Sequence, residues 1–147
     1  MACYQHILLA ADFTEHGKAV AEKAKALAEL HQATLSIIHV MDYIPITDAA
    51  YGPIIPFDGD LTEQLMTAAK RQLTKMAVDF DIAEKNQIME IGSPKLEIVR
   101  IAKEIQADLI VVGSHGRHGL ALLLGSTANG VLHHAVCDVL AVRLSDD

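Results

Sequence analysis

Five short apolar runs alternate along this chain with stretches of helical period, and that alternation restricts the folds open to it. HILLAA within 5–11, TLSIIHV at 34–40, QIMEI at 87–91, LIVVG at 109–113 and VLAVRL at 139–144 have strand length and strand composition. Between them the apolar spacing changes to that of a helix. Residues 14–31 place Val20, Ala24, Leu27 and Leu30 or His31 on one stripe, and residues 61–80 do the same with Leu65, Ala69, Leu73, Met76 and Ala77. A third helix opens with Ser93 as N-cap and Pro94 at the first helical position, and runs to about Gln106 with Ile98, Val99, Ala102 and Ile105 inward. A short fourth helix spans 126–135. Most of the apolar runs are continuous, as expected of strands covered on both faces. Only QIMEI alternates with polar residues, which marks a sheet edge. Strands alternating with helices predict an α/β fold, a parallel sheet with helices on both faces. Residues 41–60, with Pro45, Gly52, Pro53, Pro56 and Gly59, read as a long loop of the kind that usually carries function.

The size and charge of the chain bound what such a fold can do. Its 147 residues fit one domain over 1–147, with 51% apolar residues to fill the core. Twelve basic against nineteen acidic residues leave a net charge of −7, a poor basis for binding a nucleic-acid backbone. Three Phe, three Tyr and no Trp also give little material for base stacking. Cys3 and Cys137 form neither a disulfide framework nor a zinc spacing. The start MACYQHILLA has no basic segment ahead of a cleavable apolar run, and no stretch approaches the ~18 apolar residues needed for membrane insertion. A reduced cytoplasmic compartment is the expectation.

Ligands of open parallel sheets bind beyond the carboxyl ends of the strands, where the strand order reverses. The candidates are therefore Ala10 to Thr14, Val40 to Asp42, and Val112 to Thr127. The last of these is the most informative. Gly113-Ser114-His115-Gly116-Arg117-His118-Gly119 follows a buried strand, and Gly125-Ser126-Thr127 opens a helix. Glycine lets the backbone approach a ligand closely. A helix N-terminus offers free N–H groups and the positive end of its dipole to an anion. The hydroxyls of Ser126 and Thr127 add donors. The combination suits a phosphate chain held between the glycine segments. It is not a P-loop, because no Gly-Lys-Ser/Thr occurs, nor a dinucleotide fingerprint, because ADFTE follows the first strand.

Several of these residues have a second, structural reading. Gly113 and Gly116 also serve as ordinary turn glycines, and Ser126 also serves as a helix N-cap. Asp12 either caps the first helix or meets the ligand. The pairs His115/His118 and His133/His134 lack a carboxylate or cysteine at ligand spacing, so they read as solvated or as lining a phosphate path rather than as a metal site. No Gly-x-Ser-x-Gly elbow and no evident general base is present. At most a slow hydrolytic side activity is expected.

HILLAADFTE at 6–15, LSIIHV at 35–40, ADLIVVGSHGRHGL at 107–120, LLLGST at 122–127 and HHAVCDVLAVR at 133–143 together resemble the universal stress protein (UspA) superfamily over essentially the whole chain. The resemblance implies a single-domain, open five-stranded parallel sheet in the order 3-2-1-4-5, a Rossmann-like fold of the adenine nucleotide alpha hydrolase type. It implies ATP or AMP as ligand, with Mg²⁺ as a possible companion. Gly113, Gly116, Gly125 and Ser126 match the Gly-x2-Gly-x9-Gly-Ser/Thr pattern of nucleotide-binding members. Asp12 matches the acid after the first strand, and Val40 the residue whose backbone lies by the adenine. Ala10, Val112 and Thr127 complete the expected nucleotide site. One departure stands out, for only eight residues separate Gly116 from Gly125. Gly119 either lets the shorter loop re-form the cradle, or the shortening narrows the pocket.

In the order 3-2-1-4-5 the strand VLAVRL is an exposed apolar edge, which promotes aggregation unless something covers it. Pairing with a second copy across a two-fold axis covers it, and the resemblance implies the same arrangement. A homodimer through residues 136–144 is expected, alongside an unknown protein partner. Two functions follow. One is a dimeric stress-response regulator switched by an adenine nucleotide at residues 113–127. The other is a nucleotide-free dimeric interaction module of the same family.

Overall fold

The structure, a computed structural model, describes residues 3–42, 59–114 and 125–143. Strand β1 (His6–Ala10) lies at the centre of a five-stranded sheet. It is flanked by β2 (Thr34–Asp42) and β4 (Leu109–Gly113), with β3 (Gln87–Gly92) and β5 (Asp138–Val142) at the edges. All four pairings are parallel, and the order β3-β2-β1-β4-β5 is the expected one. The registers run Leu9↔Ile37 and Leu9↔Val111 across the centre, and Val111↔Leu140 toward the β5 edge.

Alternation along β1 divides the core. Ile7 and Leu9 face helices α1 (Gly17–His31) and α2 (Gly59–Asp79), where Val20, Ala24, Leu73 and Ala77 meet them. Leu8 faces the other side, against α3 (Pro94–Glu104) and α4 (Ser126–His134), where Ile98, Ala102, Ala128 and Val131 pack. Ile7, Leu8 and Leu9 are all 1% exposed or less. Burial of such side chains contributes about 1.5–3 kcal/mol each.

The amino ends of the central strands are pinned by polar contacts that the apolar pattern does not announce. One carboxylate oxygen of Asp108 accepts the Gln5 N–H at 2.8 Å and the other accepts the His6 N–H at 3.0 Å. The His6 ring then bridges two elements. Its Nδ1 lies 3.1 Å from the Ile105 carbonyl, which only accepts, so Nδ1 carries the proton. Nε2 therefore accepts from the hydroxyl of buried Ser36, 2.7 Å away.

Boundaries differ from the pattern-based expectation in identifiable ways. Helix α1 starts at Gly17 rather than residue 14, because Asp12 and Thr14 are used in a turn. Strand β2 continues past Val40 to Asp42, since Met41 and Asp42 still pair with Ile91 and Gly92. The rest of the expected 41–60 loop, at 43–58, lies outside the described residues, and α2 begins at Gly59. Helix α3 ends at Glu104, where Gln106 takes a left-handed φ of 58°. Its most buried positions include Ile101, while Val99 and Ile105 are only half-buried. Strand β5 starts one residue earlier than expected and ends at Val142, and Leu144 lies outside the described residues.

Candidate functional site

The chain winds from β1 outward through β2 to β3, then crosses to β4 and β5 on the other side. The reversal lies between β1 and β4, so the crevice for a ligand opens above their carboxyl ends. Ala10 is the last residue of β1 and is half-buried. The Ala11 N–H still donates to the Ile38 carbonyl at 2.8 Å, which keeps the chain alongside β2 for one residue more. Val40 lies two positions beyond Ile38, the partner of Ala10, so it rises above the end of β1. Its side chain is in the core at 8% exposure, which leaves its backbone for any contact at the rim.

After β1 the chain makes a compact turn. One Asp12 carboxylate oxygen, Oδ1, accepts the Thr14 N–H at 2.8 Å, and the Gly17 N–H donates to the Thr14 carbonyl at 3.0 Å. Asp12 thus organises the turn ahead of α1 instead of capping the helix, whose N-cap is His16. The other carboxylate oxygen of Asp12 has no hydrogen-bond partner among the described residues. Gly17 is required here by close approach, since a Cβ would fall onto the Asp12 carbonyl oxygen. Beside the turn, the Phe13 and His39 rings stack obliquely with centroids 4.6 Å apart. Burial pushes the His39 pKa below the ordinary imidazole value, so the ring is neutral at pH 7.

On the β4 side, Val112 is 2% exposed and Gly113 ends the strand half-buried. Ser114 donates its N–H to the Val142 carbonyl at 2.9 Å and accepts the Gly125 N–H at 2.8 Å. The ends of the glycine-bearing segment are therefore brought together. Gly125 is the N-cap of α4, in an extended conformation at φ −60° and ψ 153°. Ser126 is consequently the first helical residue and not the N-cap that the sequence allowed. It is exposed, with Thr127 half-buried behind it. The first N–H groups of α4 have no intrahelical acceptor and face the carboxyl edge of the sheet. Gly116, with His115, Arg117, His118 and Gly119, lies outside the described residues.

Ala10, Asp12, Val112, Gly113, Gly125, Ser126 and Thr127 thus gather at one edge of the sheet, with Val40 on its β2 flank. Nothing in the period of either segment places Phe13 beside His39; their contact depends on the tertiary fold. Among the described residues no group of three or more His, Cys, Asp or Glu is placed to hold a metal ion. No described helix is long and apolar enough to cross a membrane.

This architecture has close relatives. The profile of the Universal stress protein family matches residues 3–143. Universal stress protein A homolog 2 of Coxiella burnetii is 42% identical over 142 residues, covering 96% of both chains. Universal stress protein A homolog 1 of the same organism is 37% identical, over 97% of this chain and 99% of the relative. Among solved structures, that of the hypothetical protein MJ0577 superposes with a TM-score of 0.81 at 27% identity, over 99% of this chain and 100% of that one. A universal stress protein in complex with cAMP gives 0.66 at 25% identity, over 98% and 100% of the respective chains. With the family profile matching nearly the whole chain and relatives at 42% and 37% identity over nearly their full lengths, the chain belongs to the universal stress protein family.

Proposed function

We propose that residues 1–147 form one domain that binds an adenine nucleotide, ATP or AMP, at the carboxyl edge of the sheet and acts as a nucleotide-dependent regulator in the stress response. The observation that carries this reading is the Ser114–Gly125 hydrogen bond. It brings Ser114 and Gly125, the residues that flank the glycine segment, together at the first turn of α4, by the crevice between β1 and β4. Phosphates would lie against the N–H groups and hydroxyls of Ser126 and Thr127, with Gly113 and Gly116 allowing close approach. Val40 and Ala10 would border the adenine. The unengaged oxygen of Asp12 suits a ribose hydroxyl or Mg²⁺, which would neutralise phosphate charge. The cAMP complex of a structural neighbour supports an adenine ligand. The protein acts in the cytoplasm as a homodimer through residues 136–144, with a further protein partner reading its nucleotide state. Any ATP hydrolysis is a slow side reaction.

One observation favours a second reading, a nucleotide-free dimeric interaction module. The Gly125 N–H is already spent on Ser114, and the segment between Gly116 and Gly125 holds eight residues, one fewer than the nucleotide-binding pattern. Titration calorimetry with ATP, ADP and AMP separates the two. The first reading expects heat and a raised unfolding temperature with at least one of them. No heat and no thermal shift at millimolar nucleotide would eliminate it in favour of the second.

A further inference from the structure

We propose that Lys95 supplies a cation to the phosphate chain of a bound nucleotide and so sets a preference for polyphosphates; this rests on the nucleotide reading of the site given above. The starting observation is Gly130, buried in the interior of α4. Glycine there weakens a helix by about 1 kcal/mol relative to alanine. The packing accounts for it, since a Cβ on Gly130 would lie 2.7, 3.1 and 2.5 Å from Cβ, Cγ and Cδ of Lys95. The missing side chain makes a slot, and the lysine stem lies in it.

The direction of that stem follows from the fold. Helices α3 and α4 each precede a strand of the parallel sheet and run back antiparallel to the strands, so both N-termini open at its carboxyl edge. Lys95 is in the first turn of α3. Helical side chains lean toward their own N-terminus. The stem is therefore aimed from the level of Gly130 toward the edge where Ser126 and Thr127 open α4, about one helical turn away.

The charge is also uncommitted. None of the ion pairs among the described residues involves Lys95. Its acidic neighbour Glu97 pairs with Arg100, which also holds Glu90 and Glu104. In a chain of net charge −7, a polyphosphate needs local positive charge. The α4 N-terminus contributes the equivalent of only about half a charge. A lysine ammonium is a mobile point charge well suited to phosphate oxygens.

Lys95→Met keeps the apolar stem in its slot and removes the ammonium. Calorimetry on the full chain should show ATP binding weakened about tenfold, AMP less, and adenosine unchanged, because the lost contact scales with phosphate number. Lys95→Arg should retain ATP affinity within about twofold. The unfolding temperature of the ligand-free variants should match that of the original chain. Undiminished ATP binding by Lys95→Met, or an equal loss for adenosine and ATP, would overturn this inference and leave the nucleotide reading standing. Failure of the original chain to bind any nucleotide would overturn both.

Discussion

The backbone N–H of Gly125 donates to the Ser114 carbonyl across 2.8 Å, tying the first turn of α4 to the residue that follows β4. The two residues flank the segment expected to carry phosphate, so the bond fixes where that segment starts and ends. Because Gly125 is extended and not left-handed, its backbone accepts any L-residue. Gly125→Asp should therefore leave the fold as stable, or raise stability by a few tenths of a kcal/mol, since Asp is a better N-cap than Gly. The same carboxylate would occupy the anion position and repel phosphate. Urea unfolding and ATP titration should move in opposite directions, with ATP affinity down more than about tenfold. A variant that binds ATP as before would remove Gly125 from the site.

Gly17→Ala tests the turn that carries Asp12. The added methyl would land on the Asp12 carbonyl oxygen, which is backbone and has no room to retreat. Overpacking of this kind costs about 1–3 kcal/mol. The loss should appear as a lower urea midpoint with an unchanged slope. Wild-type stability in this variant would show that residues 12–17 rearrange without cost.

The parallel sheet and its two-faced core were legible because most of the apolar runs are continuous and helical stripes separate them, whereas the strand order came only from the resemblance to universal stress proteins. Ile7, Leu8 and Leu9 announce burial on both faces without any partner being known. Boundaries were less legible. Asp12 precedes a helical stripe as a cap would, yet its carboxylate reaches the Thr14 N–H, and this turn delays the helix to Gly17. Ser126 has the chemistry of an N-cap, but Gly125 holds that place because its N–H is fixed by Ser114. His6 and Ser36 are 30 positions apart and lie in apolar runs, so their contact needs the β1–β2 register before it can be seen. Gly130 reads as a weak helix residue until Lys95 is found lying across it.

That His6–Ser36 contact gives a third prediction. Ser36→Ala removes the donor to Nε2 while Nδ1 stays engaged with the Ile105 carbonyl. An acceptor left unsatisfied at this half-buried ring costs about 1 kcal/mol, the lower end for a fully buried group. His6→Ala in the Ser36→Ala background should then cost less than His6→Ala alone. Additive losses in the double-mutant cycle would show that the hydrogen bond carries no coupling energy.

His39 makes stability depend on pH. Burial against Phe13 holds its pKa below the ordinary imidazole value. As pH falls below about 6.5 the unfolded chain takes up a proton at this position while the folded chain does not. Stability from this group is therefore fully present above that pH. It is lost progressively down to the depressed folded pKa and levels off below it. His39→Gln should flatten the stability profile between pH 7 and 5 relative to the original chain, all other histidines being common to both. Parallel profiles would show that His39 titrates as it does in the unfolded state.

The proposed dimer rests on the outer edge of β5 and the apolar surface beside it. Val136 is 78% exposed and Leu132 45%, and the residues 139–142 are only half-buried. The Val142 carbonyl points toward β4, where it accepts from Ser114. In a strand the N–H of a residue points to the same side as its carbonyl, and successive residues alternate. The N–H of Ala141 therefore faces outward, away from β4. Ala141→Pro would delete an outward donor and leave the bonds to β4 in place, as edge strands tolerate. Val136→Glu would put charge on the exposed apolar surface at little cost to the folded chain. Both variants should remain folded by circular dichroism and sediment as monomers at micromolar concentration, where the original chain sediments as a dimer. A monomeric original chain, or variants that stay dimeric, would place the interface elsewhere or remove it.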